Sequence, residues 1–173
     1  EDRLLIKTYA KRLHTLNAER QALEKNMLDE AIEQIESEHL HTRSVLLVKA
    51  DHWHPGVIGI AASRLKERYQ KPALVVSYML GDEGKGSGRS IPGVSLGDAM
   101  HAAVKRQHRV QGGGHPMAAG FSVMRNKYAS FYEFLCQHCQ KDVENFRPYL
   151  FIDAHLTLGG ITHALMEEMS KME

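Results

Sequence analysis

Ser44-Val45-Leu46-Leu47-Val48-Lys49-Ala50 opens the stretch whose reading decides the fold. The run is almost wholly apolar and short, which fits a buried strand. Asp51-His52-Trp53-His54-Pro55-Gly56 follows as a turn. A helix is predicted over 57–70, with Val57, Ile60, Ala61, Leu65 and Tyr69 on its apolar side. Pro72 closes it, because the residue before a proline is pushed out of the helical region. Ala73-Leu74-Val75-Val76-Ser77-Tyr78 then reads as a second strand. Strand, helix and strand in that order favour a parallel pair joined by a right-handed crossover.

Working outward, Gly81 to Gly88 reads as a glycine- and charge-rich loop, and Arg89-Ser90-Ile91 as a short strand ended by Pro92-Gly93. A helix over 95–109 has Ser95 as its N-cap. Gly112-Gly113-Gly114-His115-Pro116 reads as a second loop, 118–123 as a strand and 126–142 as an amphipathic helix. Pro148 opens another strand, Tyr149 to His155, and a last helix is expected at about 160–172. The alternation from 44 to 143 predicts an α/β fold: a small mixed or parallel sheet flanked by helices.

Residues 2–38 contain no Gly or Pro and carry Tyr9, Leu13, Leu16, Leu23, Met27, Leu28, Ala31, Ile32 and Ile35 at helical spacing. A helix of that length reaches ~55 Å, more than a small domain needs. It is either a surface helix with one buried stripe or a connector to another domain. Without its neighbour it would expose an apolar stripe able to pair with a second copy. The missing initiator Met suggests a piece of a longer protein.

The 173 residues are 43% hydrophobic and 25% charged, which excludes disorder and a disulfide scaffold. No apolar run is long enough to span a membrane and no signal peptide is visible. Two Cys without a secretory signal suggest a reducing cytoplasm. The net charge of +1 is an average of unequal parts. Residues 84–128 hold seven basic groups and one acid, a net +6, whereas 1–38 carry −3 and 129–173 carry −4. Such a block points to a polyanionic partner.

Three segments offer chemistry. Gly84-Lys85-Gly86-Ser87-Gly88-Arg89-Ser90 has glycines that admit an anion to the backbone, hydroxyl donors at Ser87 and Ser90, and the planar fork of Arg89. It lacks the Lys-Ser/Thr ending of a P-loop; the alternative is a hairpin loop with solvated charges. Gly112-Gly113-Gly114-His115 can aim several N–H groups at one anion, or is a tight turn with a surface His. Asp51 to Gly56 precedes a helix N-terminus, a natural anion site. His52 and His54 lie two residues apart, but no third or fourth metal ligand is near in sequence. Trp53 either stacks on a base or packs in the core. Cys136-Gln137-His138-Cys139 falls inside a predicted helix and lacks the two further ligands of a zinc site, so both are read as core or surface thiols.

Taken in order, His54-Pro55-Gly56-Val57-Ile58-Gly59-Ile60-Ala61-Ala62-Ser63-Arg64-Leu65, Gly86-Ser87-Gly88-Arg89-Ser90-Ile91 and Gly113-Gly114-His115 with Ala118-Ala119-Gly120 resemble the DHH-associated domain of RecJ-type single-stranded-DNA-specific 5′→3′ exonucleases. GGxH loops alone also occur in other DHH phosphodiesterases and in alanyl-tRNA-synthetase relatives. The resemblance implies a connector helix (1–40), a DHH-associated substrate-binding domain (41–146) and the start of an oligonucleotide-binding-fold region (147–173). It implies that Ser87 and Arg89, with Ser90, hold a DNA phosphate. Gly113, Gly114 and His115 would face the active-site cleft, with His115 the catalytic contact to the scissile phosphate. Arg64 and Trp53 are further candidates for the DNA path. In the family the Mn²⁺ or Mg²⁺ ions are held by the DHH domain, whose motifs are absent from this sequence. The expectation is a fragment that binds single-stranded DNA, holds no metal of its own and does not cut. The alternative is a DHH-type phosphodiesterase module acting on short oligonucleotides or cyclic dinucleotides.

Overall fold

The structure is a computed structural model that describes residues 2–106 and 110–171. In chain order its elements are α1 (Asp2–Ser37), β1 (Leu46–Ala50), α2 (Ile58–Tyr69), β2 (Ala73–Ser77), β3 (Glu83–Arg89), α3 (Leu96–Lys105), β4 (Val110–His115), β5 (Ala118–Met124), α4 (Tyr128–Asn145) and α5 (His163–Ser170). The five strands form one sheet in the order β1-β2-β3-β5-β4. β1 and β2 are parallel, as the strand–helix–strand reading requires, and the other pairs are antiparallel. The sheet is therefore mixed and flanked by helices.

Two glycine-rich stretches expected as loops are strands. Residues 83–89 form β3 between β2 and β5, and 110–115 form β4 at the edge. Low β-propensity is overridden here by pairing: both stretches find complete antiparallel partners. The β2–β3 turn relies on Gly81, whose φ of 118° suits only glycine. Ser95 caps α3 as expected, its hydroxyl accepting from the Asp98 N–H at 3.2 Å. The end of the predicted 95–109 helix, with His108 and Arg109, lies outside the described residues.

The sheet's two faces are packed unequally. On one, α3 and α4 cover the whole width: Leu96, Met100, Phe131, Phe134 and Leu135 pack on Leu47, Leu74, Val76, Phe121 and Val123. Cys136 and Cys139 belong to this core, and burial pushes the Cys139 thiol up to about 12. On the other face, α1 and α2 pack on Leu46, Val48, Ala73 and Val75. That cover reaches β3 and leaves the β5 and β4 side uncovered.

The β1 edge is closed by side chains. The hydroxyl of Tyr128 donates to the Leu47 carbonyl at 2.7 Å, that of Tyr132 to the Val45 carbonyl at 3.0 Å, and the Lys49 N–H donates to Gln34 at 3.1 Å. Among the described residues, β4 receives no such cover.

α1 is continuous, but only its last turns are packed. Met27, Ala31 and Ile35 are buried, whereas Leu4, Leu5, Ile6, Tyr9, Leu13, Leu16 and Leu23 are exposed. A 36-residue helix outruns a five-strand sheet, so the apolar stripe read from sequence is buried at one end only. Burying Met27 and Ile35 contributes about 2 kcal/mol each. The predicted strand Tyr149–His155 does not form. It has no neighbour to complete its hydrogen bonds, and Leu150, Phe151 and Ile152 stay exposed. α5 forms within the expected last helix.

Candidate nucleic-acid interface

Residues paired directly across a sheet share a face. The register therefore stacks three rows on the partly uncovered face of β3, β5 and β4. They are Arg89–Ala118–His115, Ser87–Gly120–Gly113 and Lys85–Ser122–Gln111. The alternation Gly-Lys-Gly-Ser-Gly-Arg sends Lys85, Ser87 and Arg89 to this face and Gly84, Gly86 and Gly88 to the core. A Cβ at Gly86 would stand 2.2 Å from the Phe121 ring. These glycines thus make room for core side chains; their expected role, bringing backbone to an anion, does not describe them.

Gly113 and Gly120 are different. They pair directly with each other, and a Cβ on either would meet nothing within 4 Å. Arg89 lies beside them, donating through Nη1 to Ser87 Oγ at 3.1 Å and to the Gly88 carbonyl at 2.9 Å. Among the described residues Arg89 has no carboxylate partner, so its charge remains available to an external anion. His115 is exposed at the end of β4.

The start of α2 closes the other side. Gly59 packs so tightly on this pair that a Cβ there would be 3.0 Å from Ser87 Oγ and 3.2 Å from Arg89 Nη2. Val57, the N-cap, supplies no side-chain cap. The first N–H groups of α2, with the positive end of its dipole, therefore open next to a hydroxyl and a guanidinium. Three segments distant in sequence meet here: the 54–65 motif, the 86–91 motif and the 113–120 motif.

Several candidate residues are placed elsewhere. Trp53 is only 4% exposed, packed with α1 and α2, and its indole N–H donates to Glu30 Oε2 at 2.8 Å. It does not present a ring to a nucleic acid, because the strand–turn junction carrying it is where α1 docks. That indole hydrogen bond, together with His52 at 2.7 Å, holds the Glu30 carboxyl below the usual range. Ser90 is 1% exposed, and its hydroxyl donates to the Val94 carbonyl at 2.6 Å, tying the turn before α3. It is a turn-stabilising residue with no free hydroxyl for phosphate. Arg64 is exposed but turned to Glu24 of α1 and Glu67, at 3.5 and 3.6 Å. Gly114 remains exposed but lies on the opposite, helix-covered face, paired with Ala119, where α3 approaches its carbonyl through Gly97.

Sequence reasoning missed Lys85, Gln111, Ser122 and Gly120 as members of this face. The period-two alternation of glycine with polar residues was the available signal, hidden by the glycine content. Lys85 Nζ donates to Ser122 Oγ at 2.9 Å and to Glu83 at 3.1 Å, which lays its chain along the sheet.

Among the described residues no three His, Cys, Asp or Glu side chains come close enough to hold a metal ion. His54 Nδ1 instead accepts the Gly56 N–H at 3.0 Å. The described residues of this chain do not fit a divalent-cation site. No helix among the described residues is long and apolar enough to cross a membrane.

A basic, glycine-floored sheet face thus lies beside the uncapped start of α2. The chain belongs to the DHHA1 domain family, whose profile matches residues 42–141. It is 33% identical to the single-stranded-DNA-specific exonuclease RecJ of Bacillus subtilis (strain 168), over 99% of this chain and 22% of that protein. The crystal structure of RecJ from Thermus thermophilus in complex with Mg²⁺ matches with a TM-score of 0.63 and 32% identity, over 75% of this chain and 19% of the other. The crystal structure of an exonuclease RecJ bound to manganese matches with a TM-score of 0.64 and 31% identity, over 78% of this chain and 32% of the other. The chain therefore spans about a fifth of the length of the curated relative.

Proposed function

We propose that this chain is the substrate-clamping part of a RecJ-like, metal-dependent single-stranded-DNA exonuclease serving DNA repair and recombination in the cytoplasm. The observation that carries this reading is the convergence of Ser87, Arg89, His115 and the α2 start on one partly uncovered face. Arg89 and Ser87 hold a backbone phosphate, the 5′-terminal one when the strand is threaded. His115, at the end of the edge strand, reaches the scissile phosphate. The half-buried Gly113, with no side chain above it, lets the strand approach the backbone.

Hydrolysis in this reading requires a metal centre, and among the described residues no group of three His, Cys, Asp or Glu could hold one. Relatives that match over a fifth of their own length support placing the Mn²⁺- or Mg²⁺-holding DHH domain in another part of the same protein. α1 then acts as the connector to it, its exposed apolar residues 4–23 covered by that domain or by a second copy of the chain. The segment after 147 belongs to a further oligonucleotide-binding region. The alignment with the Bacillus subtilis relative covers 99% of this chain, which supports counting α1 and the C-terminal segment in the same arrangement.

The test is binding of 5′-phosphorylated single strands to the 173-residue chain, followed by fluorescence anisotropy. Arg89→Ala and His115→Ala should each weaken binding at least fivefold, and addition of Mn²⁺ should release no nucleotides. Equal or tighter binding of linear or cyclic dinucleotides would redirect the assignment to short-substrate phosphodiesterases. Robust cutting by the chain alone would refute the placement of the metal site.

A further inference from the structure

We infer that the Gly113–Gly120 floor and the Lys85–Ser122–Gln111 row form a second nucleotide subsite beside the Arg89 phosphate subsite. The inference rests on the reading proposed above and extends it from Gly113 to Gly120, Lys85, Ser122 and Gln111, which that reading does not use. The floor is built from the smallest side chains available: Gly113 and Gly120 in the middle row, Ala118 on one side and Ser122 on the other. A Cβ at Gly113 or Gly120 meets open space, so neither glycine is required by packing. Five neighbouring glycines, Gly84, Gly86, Gly88, Gly112 and Gly114, are all crowded at 3.0 Å or less. Strand spacing of ~4.8 Å and a rise of ~3.3 Å per residue make the basin about 13 Å long from Ala118 to Ser122. That is room for a planar ring lying on two adjacent peptide units.

The rim is polar on both long sides. Arg89 and His115 bound one end of the strands' exposed stretch, and Lys85 and Gln111 the other. Lys85 is about half exposed and hydrogen-bonds to Ser122 across the sheet. Glu83 also contacts it, and that hydrogen bond holds the Glu83 carboxyl below its ordinary value. A strand anchored by one phosphate at Arg89 thus crosses the glycine floor and brings a later phosphate to Lys85. Gln111 supplies an amide to the nucleotide between. No aromatic side chain stands in the Gly113 and Gln111 rows, the His115 imidazole lying at the Arg89 end, so this second subsite recognises sugar and phosphate and tolerates any base.

The experiment compares 5′-phosphorylated oligothymidylates of one to eight nucleotides on the full 173-residue chain, with thermal melts of every variant. Gly120→Val should weaken binding of the longer oligomers at least tenfold, and Lys85→Ala about threefold. Neither should change competition by inorganic phosphate at Arg89. Gly120→Ala, a smaller change, decides the case if Gly120→Val melts early. Wild-type affinity for long oligomers in Gly120→Ala and Lys85→Ala, with Arg89→Ala impaired, would overturn the second subsite and leave the phosphate-clamp reading intact. No loss in Arg89→Ala either would overturn both.

Discussion

Strands β3, β5 and β4 present the same backbone to two environments. On the helix-covered face, glycine at 86 and 114 is forced by neighbours: the Phe121 ring at 2.2 Å and the Ala118 carbonyl at 2.3 Å from a notional Cβ. On the other face, a notional Cβ on Gly113 or Gly120 meets nothing within 4 Å. One residue type therefore answers two demands, core packing and ligand access, and alternation along a strand separates them one residue at a time. The difference teaches that a glycine-rich motif cannot be assigned to ligand binding as a whole.

The adjacent pair Gly113 and Gly114 gives the sharpest way to break this comparison. Gly114→Ala drives a methyl into backbone and should destabilise the fold by about 3 kcal/mol in urea denaturation. Gly113→Ala should leave stability unchanged or raise it by about 0.5 kcal/mol through the unfolded chain, while weakening oligonucleotide binding. Equal effects on stability would erase the distinction between the faces.

Arg89→Ala should lower affinity for single strands by about 2 kcal/mol, as loss of a charge-assisted phosphate contact does, with the thermal midpoint little changed. Arg89→Lys should recover part of the affinity, lacking the planar fork.

The covered face also has a pH signature. The Cys139 thiol rises from an ordinary 9.0 to about 12 because its thiolate would be desolvated. An acid raised in the folded state stabilises fully below its unfolded value and ceases to do so as pH climbs through the folded one. Stability should therefore fall between pH 9 and 12, and Cys139→Ala should flatten that part of the slope in pH-dependent denaturation. The buried phenols of Tyr128 and Tyr132 are shifted in the same direction and add to the loss above pH 10.

The smallest effect belongs to the α1 junction. Glu30 is held below 4.5 by the Trp53 indole and His52, so its contribution is present above that value and is lost as pH falls below it. The carboxylate is about half exposed, and Glu30→Gln should cost under about 1 kcal/mol.

Much of this was legible in the sequence where hydrophobic pattern and elements coincide. The 44–78 stretch yields β1, α2 and β2 within a residue or two, because apolar runs bounded by Pro and Gly leave few alternatives. β3 and β4 were hidden because glycine has no strand preference of its own, and their state is set by the partner strands. The site motifs are visible in the sequence, but the burial of Trp53 and Ser90 is not, for one reason. Both carry polar groups whose partners, Glu30 and Val94, become apparent only once the chain has folded. The 149–155 run looks like a strand locally and stays irregular, paired with no strand of the sheet.

The salt dependence of single-strand affinity, measured side by side for the wild-type chain and Arg89→Ala, tests the central claim most directly. If the β3–β5–β4 face clamps the phosphate backbone, log Kd should rise linearly with log salt, and removing Arg89 should reduce that slope by about 0.7, one phosphate contact on a single strand. A wild-type affinity indifferent to salt, or an identical slope in Arg89→Ala, would contradict the account.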